Sequence, residues 1–250
     1  MYHKKSQSYA YPSPINQIFV VLIITACFQA FFASFPNVDI WLSSIFYEEG
    51  QGFALSRSHT IKLVRDICNV MITGFGVIAF ISCIVACLGY PTAGIPARVW
   101  GFISALYLLG PVILVNGVLK ANSGRARPVH IEEFGGERIF TPAFEFTDQC
   151  VSNCSFVSGE ASGSTAFLIS IFLVTAFIGQ RKWRLTLRIS AAGIALACTA
   201  FRILLGRHFL SDVIFAVLFV VLIALILNGL SQRAIKLKLQ AAPKSVGGAA

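Results

Sequence analysis

Long apolar runs separated by short polar segments set the pattern of this chain. They lie at about 15–35, 69–88, 99–119, 161–178, 189–205 and 213–230, and Arg202 is the one charged residue within them. Each approaches the ~20 residues that an α-helix needs to cross the hydrocarbon core of a bilayer. The pattern predicts an all-α, polytopic membrane protein: a six-transmembrane-helix bundle forming one domain over residues 1–250. The first run exceeds the ~7–15 apolar residues of a signal peptide and ends in Ala33-Ser34-Phe35-Pro36 without a clear cleavage site, so a retained span is expected. Pro111, flanked by Gly110 and Gly117, predicts a kink in the third span. Small residues such as Gly74, Gly76, Gly193, Ala195 and Ala197 favour close helix packing.

Polar positions supply the orientation. Lys4, Lys5, Arg98, the cluster Arg181, Lys182, Arg184 and Arg188, then Arg233, Lys236 and Lys238, all fall on one side when six spans are counted. Basic loops stay cytoplasmic, so both termini are expected there. The other, external face receives the end of span three, the start of span four and the turn between spans five and six. Between the first two spans, Asn37 to Asp66 carries Trp41, Phe46, Tyr47 and Phe53, and reads either as an interfacial segment or as an ordinary aromatic loop.

Composition narrows the function. With 56% hydrophobic and 12% charged residues and a mean hydropathy of +0.75, a soluble globular domain is excluded. The net charge of +9 is spread over short loops, so no nucleic-acid partner is expected. Cys27, Cys68, Cys83, Cys87 and Cys198 sit in or beside spans as small apolar fillers. Cys150 and Cys154 lie in an external loop, where a disulfide is possible chemistry, whereas two cysteines without a nearby histidine pair do not make a zinc site.

Three stretches facing that external side carry charge at membrane depth, where ionisable groups point to function. In Arg202-Ile-Leu-Leu-Gly-Arg-His208-Phe-Leu-Ser-Asp212, histidine and aspartate are spaced i, i+4, so the carboxylate can take the proton of one imidazole nitrogen and leave the other lone pair free. Upstream lie Lys120-Ala-Asn-Ser-Gly-Arg-Ala-Arg127-Pro128 and Phe156-Val-Ser158-Gly159-Glu160. Their order and spacing resemble the type 2 phosphatidic acid phosphatase superfamily, whose signatures are K-x6-RP, (P)SGH and SR-x5-H-x3-D. Two positions depart from them: Glu160 replaces the histidine after Ser-Gly, and Phe201 the serine before Arg202.

The resemblance implies that Lys120, Arg127, Ser158, Gly159 and Arg202 hold a phosphoryl group, that His208 attacks it and that Asp212 orients His208. In the parent pattern the histidine replaced by Glu160 resembles a general acid. The residue types suit phosphoryl transfer without a metal or cofactor: three cations for the equatorial oxygens, and a helix start at Ser158-Gly159 whose N–H groups and dipole favour an anion. Arg125 and Arg207 are read as surface or phospholipid-facing charges. A site at the membrane face suits a lipid phosphate substrate held in the bilayer, with no obligate protein partner. The Ser-Gly-Glu variant is most similar to the lipid A phosphatase branch, including the type that removes the 4′-phosphate. The implied location is the bacterial inner membrane with the site facing the periplasm. Undecaprenyl diphosphate or phosphatidylglycerophosphate hydrolysis, a lipid phosphotransferase and an ion or lipid transporter are the alternatives.

Overall fold

The computed structural model describes residues 14–241; Lys4 and Lys5 of the expected orientation signal lie outside them. Among the described residues, five helices are long and apolar enough to cross a membrane: Pro14–Ser34 (α1), His59–Cys87 (α3), Ala97–Asn122, Arg181–Leu204 (α7) and Leu210–Ala234, the last within Leu210–Ala241 (α8). Outward-facing Phe19, Ile23, Val70, Ile78 and Leu196 are exposed, as expected of side chains that meet lipid.

The run expected as a fourth span is shorter, Gly159–Thr175 (α6), with 17 residues. That is about 25 Å of helix, less than the ~30 Å hydrocarbon thickness. Its composition explains its place. Gly163, Ala161, Ala166, Ser162, Ser164 and Thr165 are all buried, because α6 is the central helix, enclosed by α3, α7, α8 and the 97–122 helix. Small side chains let those neighbours approach. Thr165 and Ser170 donate to Ala161 and Ala166 carbonyls at 2.9 and 2.7 Å, so their hydroxyls are satisfied inside the bundle.

The 97–122 helix changes character at its proline. Ala97–Tyr107 (α4) is α-helical, Leu108–Leu119 follows a π-helical course, and Lys120–Asn122 (α5) closes the helix. Pro111 has no N–H to give to an i−4 carbonyl, and a wider turn removes that demand. Asn116 then donates its side-chain amide to the Pro111 carbonyl at 2.6 Å. This segment delivers Asn116 and Lys120 to the start of α6.

The connection read as Asn37 to Asp66 is more structured than its composition suggests. It contains Asn37–Ser44 (α2), a two-residue-per-strand antiparallel hairpin, Tyr47–Glu48 (β1) with Gly52–Phe53 (β2), and the first two turns of α3, which starts ten residues earlier than the apolar run at Asn69. Ser58 caps α3 by accepting from the Ile61 N–H. Phe53 packs with Phe134, Ile131 and Phe209, and its ring lies directly against Gly206. Gly206 has φ +63°, and a Cβ there would collide with that ring, so the α7–α8 turn requires glycine on both counts.

Candidate active site

Three chain segments converge at one end of the bundle: the end of the 97–122 helix with the loop after it, the start of α6, and the turn from α7 into α8. Arg98, the Arg181–Arg188 cluster and Arg233 lie toward the opposite ends of their helices.

His208 sits in the α7–α8 turn, fully buried. Its Nδ1 is 2.8 Å from the Ser155 carbonyl oxygen. A carbonyl only accepts, so Nδ1 carries the proton and Nε2 keeps its lone pair. Nε2 is buried and has no hydrogen-bond partner among the described residues. Burial pushes the imidazole pKa down to about 3, helped by the charges of Arg202 and Lys120 and opposed by Asp212, so the ring is neutral at physiological pH. A neutral imidazole with a free Nε2 has the electronic form of a nucleophile.

The expected carboxylate–imidazole hydrogen bond is not made. Asp212 Oδ2 is 3.6 Å from His208 Nδ1, beyond hydrogen-bonding distance, and accepts instead from the Ser155 hydroxyl at 2.5 Å and the Phe209 N–H at 2.9 Å. Asp212 thus acts on His208 through Ser155 and through its charge.

Arg125 corrects a second expectation. Rather than facing solvent or phospholipid, it is 1% exposed. Its guanidinium donates to Asp212 Oδ1 at 2.6 Å, Asp39 Oδ2 at 2.9 Å, Ser211 Oγ at 2.9 Å and the Thr141 carbonyl at 2.8 Å, and stacks on Phe209 with its centre 4.4 Å from the ring centroid. Asp39, from α2, also accepts from the Ser211 N–H at 2.9 Å. Ser155, Arg125 and Asp39 were missed from sequence. Arg125 stood inside the first motif stretch, and Asp39 was a lone carboxylate among aromatics; a backbone carbonyl such as that of Ser155 leaves no signature.

The other cations gather around Asn153. Lys120 Nζ donates to Asn153 Oδ1 at 3.0 Å, and Arg127 donates to the Asn153 carbonyl through Nη2 at 2.8 Å and Nε at 3.1 Å. Burial and the neighbouring Arg207 bring the Arg127 pKa down to about 10, which still leaves it cationic. Asn153 lies inside the short loop closed by a Cys150–Cys154 disulfide, with Cα atoms 5.6 Å apart. The bridge therefore pins the residue that positions both cations.

At the start of α6, Ser158 Oγ accepts from the Ala161 N–H at 3.3 Å as an N-cap. Its own N–H donates to the Asp212 carbonyl at 3.1 Å, so it is not free for an anion as expected from sequence. The N–H groups of Gly159 and Glu160 have no intrahelical acceptor and remain at the helix start. A Cβ at Gly159 would meet Asn116 Oδ1 at 3.0 Å and Lys120 Nζ at 3.5 Å, so glycine allows Lys120 to approach the helix. Glu160 Oε1 lies 2.9 Å from Arg202 Nη1, and Arg202 Nε is buried without an acceptor. A cavity of about 300 Å³ opens beside Lys120, Gly159 and Glu160 and runs past Asn69, Ile72 and Thr73 of α3. Among the described residues, no cluster of three His, Cys, Asp or Glu side chains is arranged to hold a metal.

Residues 100–236, which enclose all three motif stretches, match the PAP2 superfamily. The chain is 33% identical over 205 residues to a lipid A 4'-phosphatase of Francisella tularensis subsp. novicida (strain U112), covering 80% of this chain and 90% of that protein. It is 34% identical over 199 residues to a lipid A 4'-phosphatase of Rhizobium leguminosarum, covering 74% and 83%. Its fold is similar to the crystal structure of a transmembrane PAP2-type phosphatidylglycerolphosphate phosphatase from Bacillus subtilis, with a TM-score of 0.53, 16% identity and coverage of 88% of this chain and 96% of the other.

Proposed function

Because the chain belongs to the PAP2 superfamily and is a membrane phosphatase of that type, we propose that it hydrolyses a phosphomonoester of a membrane lipid, the 4′-phosphate of lipid A, through a phosphohistidine on His208. One observation carries the chemistry: a buried, neutral imidazole whose Nδ1–H is taken by the Ser155 carbonyl and whose Nε2 is free, within the field of Lys120 and Arg202.

The reaction proceeds in two displacements. Nε2 attacks phosphorus as the P–O bond to the lipid breaks, and the departing alkoxide takes up a proton from solvent water. Water then attacks phosphorus and gives up a proton to Glu160 or to bulk water as the P–N bond breaks with its electron pair returning to Nε2, releasing inorganic phosphate and neutral His208. Lys120, Arg127 and Arg202 carry the charge on the equatorial oxygens, with the Gly159 and Glu160 N–H groups as further donors. Positive charge for the transition state thus comes from side chains, and the reading is a metal-independent reaction. Asp212 is a positioning residue in it, acting through Ser155.

Lipid A is favoured by the names of two relatives matched over most of their length, and by a cavity partly lined by Ile72 and Thr73 that can receive the apolar part of a lipid. The basic ends of α4 and α7, away from the site, support a periplasm-facing reaction centre in a bacterial inner membrane. The test is phosphate release and mass spectrometry of lipid A treated with the detergent-solubilised protein, with and without chelator and vanadate. Loss of the 4′-phosphate, unaffected by chelator and blocked by vanadate, is expected. Hydrolysis of phosphatidylglycerophosphate but not lipid A would move the substrate, and loss of rate in chelator restored by one metal would overturn the metal-free reading.

A further inference from the structure

A second basic cavity, of about 340 Å³, lies beside the site and is lined by Lys62, Arg65, Asp66, Val129, Leu205 and Arg207. None of these residues lines the cavity at Lys120 and Glu160. Both cavities nevertheless share a wall, because Lys62, Arg65 and Asp66 precede Asn69, Ile72 and Thr73 at the three- and four-residue spacing that puts side chains on one face of α3. Arg207 forms the far wall. It is the chain neighbour of His208 and close enough to Arg127 to depress that guanidinium's pKa.

The charge in this cavity is not internally balanced. Asp66 is committed to Arg65, whose Nε donates to Asp66 Oδ1 at 3.0 Å. That leaves Lys62 and Arg207 uncompensated among the cavity's charges. Arg207 Nε is moreover buried without a hydrogen-bond partner among the described residues. An enclosed guanidinium N–H without an acceptor costs free energy unless a ligand supplies one. Arg207, close enough to act on both Arg127 and Arg202, adds a like charge to theirs that an anion in the cavity would offset.

Building on the proposed reaction, we infer that Lys62 and Arg207 form a subsite for a second anionic group on the headgroup of the same lipid, a phosphate or a sugar carboxylate, while the scissile phosphate lies at Lys120, Arg127 and Arg202. The enzyme would then select lipids carrying two anionic groups, with the headgroup laid along the α3 face that joins the two cavities.

The test compares a lipid phosphate bearing a second anionic group with its analogue lacking that group, in neutral detergent, using wild type and a Lys62→Gln/Arg207→Gln double variant. Binding is measured on His208→Gln protein so that it does not depend on turnover. Wild-type binding surface should prefer the doubly anionic lipid by about tenfold or more, as expected for a charge-assisted hydrogen bond. The double variant should lose that preference and bind the singly anionic lipid within twofold of its parent. A preference for a lipid that the wild type fails to hydrolyse would support the subsite and overturn the proposed reaction instead. Equal losses on both lipids, or none on either, would overturn the subsite. A loss seen for the singly anionic lipid only when anionic phospholipid is added would reassign the cavity to a neighbouring headgroup and overturn the same-molecule inference. Repeating the comparison with the second group as phosphate and as carboxylate distinguishes its two sources.

Discussion

Arg125 and Asp212, 87 residues apart in the chain, meet in a buried ion pair at 2.6 Å. From this contact a continuous chain of bonds leads to the reaction centre: Asp212 accepts from the Ser155 hydroxyl, and the Ser155 carbonyl accepts from His208 Nδ1. The same guanidinium holds Asp39 of α2, which binds the first turn of α8 through Ser211. Arg125 therefore links the interfacial segment, the motif loop and α8, and sets where the imidazole points.

Removing Arg125 should unlock this arrangement. Arg125→Gln leaves Asp39 and Asp212 buried without a counter-charge, which typically costs about 3–5 kcal/mol. Arg125→Lys should not restore stability, since an ammonium cannot reproduce the planar fork that reaches four acceptors. Thermal unfolding in detergent is the check. A wild-type midpoint and rate in Arg125→Gln would show that the network positions nothing.

His208→Gln keeps the bulk of the side chain in a fully buried position and removes the attacking nitrogen. Turnover should vanish while the protein still inserts and folds, and acid-labile, base-stable phosphoprotein should form in rapidly quenched wild type but not in the variant. Near-normal turnover in His208→Gln would sink the covalent mechanism.

How far these features could be read from the chain depends on whether the signal was local. The apolar runs located the long helices because lipid imposes hydrophobicity along a whole span. Lys120, Arg127, Glu160, Arg202 and His208 were legible as charges at membrane depth, and helix direction alone brings them to one end. The start of α3 was misread as a loop, because Lys62, Arg65 and Asp66 break the apolar run although the helix continues through them. Arg125 was misjudged because its partner Asp39 lies 86 residues away and only the folded chain brings them together. The proton acceptor of His208 is a backbone carbonyl, which every residue possesses. Pro111 announced an irregularity, but not the π-helical course it takes or the Asn116 amide that donates to its carbonyl.

Stability should fall in acid in a way traceable to His208. Its folded pKa of about 3 lies below the unfolded value of about 6.5. The unfolded chain therefore binds the extra proton between those values. This contribution is fully present above about pH 6.5 and is lost as pH falls toward 3, by up to about 1.4 kcal/mol per pH unit. His130, also lowered by burial and by Arg207, acts in the same direction. Unfolding midpoints measured from pH 7.5 to pH 4.5 should drop less steeply in His208→Gln than in wild type. Parallel slopes would mean that His208 is not held neutral.

Glu160 is one of the two positions where this chain leaves its family pattern, and its geometry narrows what it can do. Its carboxylate lies 2.9 Å from the Arg202 guanidinium, on the first turn of α6, where the helix dipole also favours negative charge. In that ion pair its carboxylate faces the guanidinium as a counter-charge. Protonating the departing alkoxide is thus the role the pairing disfavours, and two remain: holding Arg202 against the phosphoryl oxygens, and accepting a proton from the water that attacks the phosphohistidine. Glu160→Gln preserves shape and removes both the charge and the basicity. We expect formation of phosphoenzyme to slow by less than its breakdown, so that quenched single-turnover reactions accumulate phosphohistidine and steady-state turnover falls by about 10²-fold or more, within the usual range for a general base. If Glu160 only orients Arg202, both steps slow together, KM rises and no intermediate builds up. A slow first step rescued by a substrate with a better leaving group would restore the general-acid role. Rates within a few-fold of wild type at both steps would remove Glu160 from proton transfer altogether.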